Sequence, residues 1–272
     1  TLTTHMKSVG ENMAIGRTFK EAFMKSMRSR ELDVEGDSQA TTEELLETIA
    51  TPCAERYDLI MELLRRGVTT EKIEAATAIN PWFLGEFEEI ALREAALRGR
   101  EPAFSGGEPA ESDQPDRQPN RSLSDLSPHD LRLAKQTGFS DAEIAGFTGS
   151  SEAEVRAARQ AAGVNPVYKS VDTCAAEFEA ETPYFYSCYD QENEALDSGR
   201  AKVVILGSGP NRLGQGIEFD YCCVHAAITH RESCNAAILR HRPTQPVAPG
   251  YQHPALPPHA PSDEQPLGYG LE

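Results

Sequence analysis

The sequence predicts a mixed fold. An all-α helical domain is followed by the start of an α/β unit, with a disordered insertion in the first and a disordered tail after the second. Three observations carry this reading. Apolar residues recur at helical spacing over 42–98 and again over 127–163. The run from Lys202 to Leu206 is apolar and rich in β-branched residues, and a glycine loop and a helix-like stretch follow it directly. Proline and polar residues crowd 99–124 and 243–272, stretches that cannot bury enough surface to offset their chain entropy.

Whole-chain composition bounds the function. A length of 272 residues suggests roughly two domains. Lys and Arg number 26 against 43 Asp and Glu, a net charge of −17 that repels phosphate backbones and argues against nucleic acid. No apolar run approaches the roughly 18 residues of a membrane helix, so no membrane is expected as a partner. Thr1 to Gly10 lacks the apolar core of a signal peptide. A start at Thr1 rather than Met leads us to expect a piece of a longer protein. Cys53, Cys174, Cys188, Cys222, Cys223 and Cys234 form no C-x-x-C pair and read as reduced cytosolic thiols, mostly small buried groups.

Taken in order, Thr42 opens a helix carrying Leu45, Leu46 and Ile49. Pro52 stands near the start of a second, with Leu59, Ile60, Leu63 and Leu64, and Gly67 ends it. Asn80-Pro81 is a start signal, because Asn caps orphan amides and Pro lacks one. Trp82, Phe83, Phe87, Ile90 and Leu97 then mark one packing face of a helix ending near Gly99. Four prolines (102, 109, 115 and 119) place the disordered insertion at 99–124.

Three short helices follow. Ser127-Pro128 starts one with Leu131, Leu133 and Ala134; Ser140-Asp141 starts one with Ile144, Ala145 and Phe147; Ser150 or Ser151 starts one with Val155 and Ala158, closed by Gly163. The trio has the outline of a helix-turn-helix module. Glu152 and Glu154 occupy the end where base-contacting groups would stand, so it reads as a small helical subdomain. Tyr184 to Tyr189 has strand or packed-loop composition, and Asp190, Glu192 and Glu194 read as a solvated face. Lys202 to Leu206 fits a buried parallel strand, and Ile217 to Ile228 a helix. Past Glu232 no second parallel strand can be drawn, since Val247 and Leu256 are isolated among eight prolines.

The best candidate site is the loop from Gly207 to Gly216, with Gly207, Gly209, Asn211, Arg212, Gly214 and Gly216. Glycines after a strand allow a sharp turn, and amides at a following helix start can hold an anion. The loop is neither G-x-G-x-x-G, since Arg212 breaks the pattern, nor a P-loop, since Gln215 replaces the lysine. Spacing alone leaves both a nucleotide site and a structural turn open. Arg212 and Glu218 add charge of both signs. Cys222, Cys223 and His225 lack metal-ligand spacing. No G-x-S-x-G or H-E-x-x-H occurs.

Several runs together resemble one family. Val167-Tyr168-Lys169 with Val171-Asp172-Thr173-Cys174-Ala175-Ala176-Glu177-Phe178 resembles the junction into the second synthetase half of the carbamoyl phosphate synthetase large chain. The run from Gly209 to Ala226 looks like the glycine-loop signature of that half. Thr3 to Glu11 and Met13 to Thr18 are similar to the segment closing the first ATP-grasp unit. The resemblance implies four segments: 1–36, the end of that unit; 37–164, a helical oligomerisation domain; 165–232, a linker and the start of a Rossmann-like pre-ATP-grasp domain; and 233–272, an irregular Pro-rich tail.

The family makes carbamoyl phosphate from bicarbonate, ammonia drawn from glutamine, and two ATP, for arginine and pyrimidine synthesis in the cytoplasm. The resemblance implies ATP with Mg or Mn for the whole enzyme, a small glutaminase chain as partner, and a homo-oligomer through the helical domain. Gly216 and Glu218 match family residues at a carbamate tunnel; a structural ion pair is the other reading of Glu218. Asn211 and Arg212 match the same loop without an assignable role. Only the end of one ATP-grasp unit is represented, so no catalytic residue or metal ligand is assigned, and the chain alone is expected to bind no ATP and make no product. After Glu232 the family pattern stops, as after a frameshift or truncation. The rival reading is a non-catalytic helical interaction or oligomerisation module.

Overall fold

A computed structural model describes residues 12–30, 40–100, 120–179, 184–195, 199, 202–206, 217–234 and 237–241, with the backbone alone at 202, 206, 217–220, 230–234 and 237–241. Contacts divide them into two units. One holds 18–24 and 40–165; the other holds 12–17, 25–30 and the residues from 166 on.

The first unit is helical: the first half of α1 (Phe19–Ser29), then α2 (Thr42–Ala50), α3 (Arg56–Arg65), α4 (Thr70–Thr77), α5 (Pro81–Leu97), α6 (Pro128–Thr137), α7 (Asp141–Thr148) and α8 (Glu152–Ala161). Local chemistry sets most of the starts. At α2 the Thr41 hydroxyl accepts from the Glu44 amide at 3.2 Å, and the Glu44 carboxylate accepts from the Thr41 amide at 2.8 Å. This reciprocal cap satisfies two amides that the helix itself leaves unpaired. Ser127, Ser140 and Ser151 repeat it at α6, α7 and α8. Asn80 accepts from the Trp82 amide at 2.9 Å at the start of α5. Arg56 ties two helix ends together, donating to the Ile49 carbonyl at 2.8 Å and the Thr77 carbonyl at 3.2 Å.

Ile49, Ile60, Leu63, Leu64, Ile73, Leu84 and Ile90 form the core of α2–α5; Leu131, Ala134, Phe139, Ile144, Val155 and Val164 form that of α6–α8. Helix α5 packs on α3, α4, α6 and α7. The α6–α7 turn runs flush against α1. At Gly138, with φ +110°, a Cβ would stand 2.8 Å from the Met24 Cβ and 3.1 Å from the Glu21 Cα.

Buried charges are matched. Glu94 lies 2.9 Å from Arg65 and 3.1 Å from Arg98. Asp141 lies 2.8 Å from Lys135 and 2.9 Å from Arg159. Burial alone would raise the pKa of either carboxyl, but these cations hold both below the ordinary range.

Two expectations need correction here. The aromatic stripe on α5 splits: Phe87, Ile90 and Leu97 are buried, while Trp82 is 56% and Phe83 41% exposed. The inward face is Leu84, Phe87, Ile90, Ala91, Glu94 and Leu97, so Trp82 and Phe83 lie off its axis. The second concerns 99–124. Most of that segment lies outside the described residues, but its end is tied down. The Asn120 amide donates to the Arg98 carbonyl at 3.0 Å, and Arg121 reaches Asp130 at 2.9 Å.

The second unit contains two small sheets. Strands β1 (Val167–Ser170) and β2 (Phe185–Cys188) pair antiparallel, Val167 opposite Cys188 and Ser170 opposite Phe185. Strands β3 (Lys202–Leu206) and β4 (Ala237–His241) pair in parallel, Lys202 opposite Ala237 and Leu206 opposite His241. Helix α9 (Ile217–Cys234) lies between them in sequence and contacts both. Strand β4 corrects the expectation of no second strand past Glu232, and with it the reading of 233–272 as wholly irregular. Its sequence Ala-Ile-Leu-Arg-His has one β-branched residue, so only pairing with β3 reveals it. Residues 243–272 lie outside the described residues. Strand β3 is not fully buried, since Val204 is 43% exposed. A parallel strand is buried only when both faces are covered.

Candidate functional site

The predicted site is the connection from β3 to α9. Gly207, Gly209, Asn211, Arg212, Gly214 and Gly216 lie outside the described residues. What the structure places is the frame: a strand ending at Leu206, a helix starting at Ile217, and a parallel strand beyond it. Glu218 is the second residue of α9. A carboxylate in the first turn is favoured by the helix dipole by roughly 0.3–1 kcal/mol. Among the described residues, no three His, Cys, Asp or Glu side chains converge where a metal ion could bind.

Farther along α9, Cys222 is exposed and Cys223 half-buried, and the centroids of the Tyr221 and His225 rings lie 4.1 Å apart. Of the five cysteines described, only Cys188 is buried. That corrects the reading of mostly buried thiols, because Cys53 and Cys222 sit on the solvent side of the chain.

Local pattern gives no warning of a charged cluster around β1 and β2. Lys169, buried on β1, meets Glu194 at 3.0 Å and Glu192 at 3.6 Å. Its bond to Glu194 raises its pKa. Glu194 also accepts from the Ser170 amide at 2.7 Å, and that bond, with Lys169, lowers its own pKa. The Glu194 amide donates to the Tyr168 carbonyl at 2.9 Å, and the Asn193 side chain accepts from the Tyr168 amide at 2.9 Å. Residues 193–194 therefore cover the edge of β1 that β2 leaves open.

Asp190 pairs with Arg17 at 3.3 Å. Lys25 donates to the Ile15 carbonyl at 3.0 Å and the Ser187 carbonyl at 2.5 Å, joining 12–17 to β2. Asp190, Glu192 and Glu194 stand in solvent as read, and each also pairs with a cation. Their partners, Arg17 and Lys169, stand far away along the chain, beyond the reach of local pattern. After β1, the Asp172 carboxylate accepts from the Cys174 amide at 2.8 Å and the Ala176 amide at 2.7 Å. It holds Ala175 and Ala176 at φ +52° and +60°, a left-handed pair that alanine adopts only at a cost.

Comparison with known proteins completes the picture. Residues 11–108 and 114–163 match the family model described as the carbamoyl-phosphate synthetase large chain, oligomerisation domain. Residues 199–245, which contain the whole β3–α9–β4 frame, match the carbamoyl phosphate synthase preATP-grasp domain. The carbamoyl phosphate synthase large chain of Synechocystis is 44% identical over 257 residues, covering 92% of this chain and 22% of that protein. A counterpart from Thermus thermophilus is 46% identical over 250 residues, with the same coverage. That of Archaeoglobus fulgidus is 42% identical over 244 residues, covering 88% of this chain and 21% of that protein. The chain thus spans about a fifth of the length of these relatives.

Proposed function

The chain belongs to the carbamoyl phosphate synthetase large-chain family, and from that premise we propose that it is the segment joining the two synthetase halves of such an enzyme. The observation that carries this is the order of the matches: the oligomerisation model lies on the helical unit, and the preATP-grasp model on β3–α9–β4. On this reading 11–163 is the helical domain and 199–245 the start of a Rossmann-like domain. The parallel β3–β4 pair with an intervening helix supports the last of these.

The whole enzyme makes carbamoyl phosphate from bicarbonate, glutamine-derived ammonia and two ATP with Mg or Mn. It does so with a small glutaminase chain, in the cytoplasm, serving arginine and pyrimidine synthesis. The helical unit self-associates. This chain alone makes no carbamoyl phosphate and binds ATP weakly or not at all, because it matches only about a fifth of the length of its relatives. Mg-ATP titrated calorimetrically into the chain should release no binding heat, and micromolar affinity would overturn that part.

Gly216 and Glu218 line the carbamate passage. The first leaves room for a small intermediate, and the second gives it a polar wall. The test is Glu218→Ala in a full-length enzyme carrying this segment. Bicarbonate-dependent ATP hydrolysis should persist, ATP synthesis from carbamoyl phosphate and ADP should survive, and carbamoyl phosphate output from glutamine should fall. Loss of ATP synthesis instead would place Glu218 in an active site or in folding.

A further inference from the structure

We propose that Lys25 is a positioning residue for the coupled reaction. It clasps residues 12–30, at the start of the oligomerisation match, to β2, past the end of that match, and so fixes the joint across which carbamate must pass. The inference rests on the reading of this chain as the segment joining the two synthetase halves, and it names what holds that joint. Residues 164–198 fall in neither family match. As a free tether, such a stretch would let its ends range over about 30 Å. Its described residues are instead bonded along both edges of the β1–β2 ribbon.

The backbone of the ribbon shows what Lys25 supplies. Opposed residues of an antiparallel pair either exchange both their backbone bonds or turn both outward. Tyr168 stands opposite Ser187. Tyr168 gives its amide to the Asn193 side chain and its carbonyl to the Glu194 amide, so it is turned away from β2. Ser187 is then turned away from β1, and its carbonyl faces no strand of its two-stranded sheet. Ser187 is also buried, where an unpaired carbonyl is costly. Lys25 provides the donor, at 2.5 Å. The same ammonium donates to the Ile15 carbonyl at 3.0 Å and stands 6.0 Å from the centre of the Tyr186 ring. Its three donors on one stem serve carbonyls of separate segments.

Two further links lie on the same seam. Arg17 meets Asp190 at 3.3 Å and bonds the Tyr186 side chain. Asn12 donates to the Ser26 carbonyl at 2.7 Å and accepts from the Ser26 hydroxyl at 2.8 Å, which folds 12–17 onto the helix that carries Lys25. Lys25 and Ser187 are 162 residues apart, so their bond ties the chain before residues 40–165 to the chain after them. Carbamate is a small anion that decomposes when released to water. A loosened joint would therefore lose the intermediate while leaving the chemistry of each half in place.

The test is made in a full-length enzyme carrying this segment, first unmodified and then with Lys25→Met, which keeps the stem and removes the charge and the donors. The expected result is a split. Bicarbonate-dependent ATP hydrolysis and ATP synthesis from carbamoyl phosphate and ADP should stay within about twofold of the parent, while carbamoyl phosphate output from glutamine falls at least about tenfold, as for a small misplacement. More ATP is then consumed per product. Lys25→Arg, which keeps charge and donors, should retain most of the output. Unchanged output in Lys25→Met, or partial reactions lost in proportion to output, overturns the clasp and leaves the reading of the chain standing. An unmodified enzyme that makes no carbamoyl phosphate overturns both. Should Lys25→Met fail to fold, Arg17→Glu decides in its place, because that side chain is 56% exposed and the new carboxylate would face Asp190. The same split is expected of it, and an unaltered output overturns the clasp.

Discussion

In the helical unit, Ile60, Leu63, Leu64 and Ile73 are wholly shielded from water. In β3, Val204 stands 43% exposed although its residue type and neighbours read as core. The difference lies in what each segment needs from elsewhere. A capped amphipathic helix meets its partners within a few dozen residues, and α2 to α8 close a core among themselves. A parallel strand needs a crossover helix, a second strand and cover on both faces. In this chain α9 and β4 supply the first two.

The largest expected effect tests whether the helical unit is as self-contained as its packing implies. Asp141→Ala leaves Lys135 and Arg159 buried without their counter-charge. Breaking a buried pair from one side costs about 3–5 kcal/mol. Urea denaturation followed by helical signal should show it, and a loss under about 1 kcal/mol would mean that solvent reaches the site.

The same carboxyl gives a pH dependence. Its folded pKa, like that of Glu94, lies below the ordinary value. The stability it contributes is therefore fully present above the unfolded pKa of about 4 and is lost as pH falls through the lower folded value. Stability should hold from pH 7 to 5 as far as these two groups decide it, then fall below pH 4. The fall should be shallower in Asp141→Asn.

Next comes the direct contrast between the units. Leu63→Ala should cost about 2–5 kcal/mol, the loss of a buried side chain plus its cavity. Val204→Ala should cost less than about 1 kcal/mol, as for a side chain already in water. Equal costs would mean that β3 is covered in solution and would erase the distinction.

The contrast also marks what could be read from sequence. The starts at Asn80-Pro81, Ser127-Pro128 and Ser140-Asp141 are present as read, and of Ser150 and Ser151 it is Ser151 that caps α8, because a cap is chemistry within three residues. Features that depended on distant partners were invisible. Glu194 looks like any exposed acid until Lys169 folds against it, and β4 looks like a polar tail until β3 lies alongside. The exposure of Trp82 depends on which way α5 turns, and hydrophobicity alone put it on the wrong side. Of the glycine loop, only the frame is present as read, a strand ending at Leu206 and a helix starting at Ile217, since the loop's own residues lie outside those described.

Two left-handed positions offer a smaller test of how well the helical unit is fitted. Gly138→Ala forces a Cβ into φ +110° and to 2.8 Å from the Met24 Cβ. Overpacking of this kind costs typically about 1–3 kcal/mol beyond the backbone strain. Removing the Met24 Cβ itself, with Met24→Gly in the same chain, should recover part of the packing loss and none of the strain. If the double variant is as unstable as the sum of the two singles, the α6–α7 turn does not press on α1.

The smallest expected effect runs in the opposite direction. Ala78 ends α4 at φ 55° and ψ 23°, its amide donating to the Glu74 carbonyl at 2.7 Å. That left-handed bond closes the helix, but it holds a Cβ where one is disfavoured by about 1 kcal/mol or more. Glycine has no such penalty, although it gives back about 0.5–1 kcal/mol through the greater freedom of the unfolded chain. Ala78→Gly should therefore stabilise the helical unit slightly, by up to about 1 kcal/mol, seen as a higher urea midpoint at unchanged slope. A clear loss would mean that the Ala78 methyl packs in a way that outweighs its strain, and that the unit depends on tertiary contact even at a position where its termini look purely local.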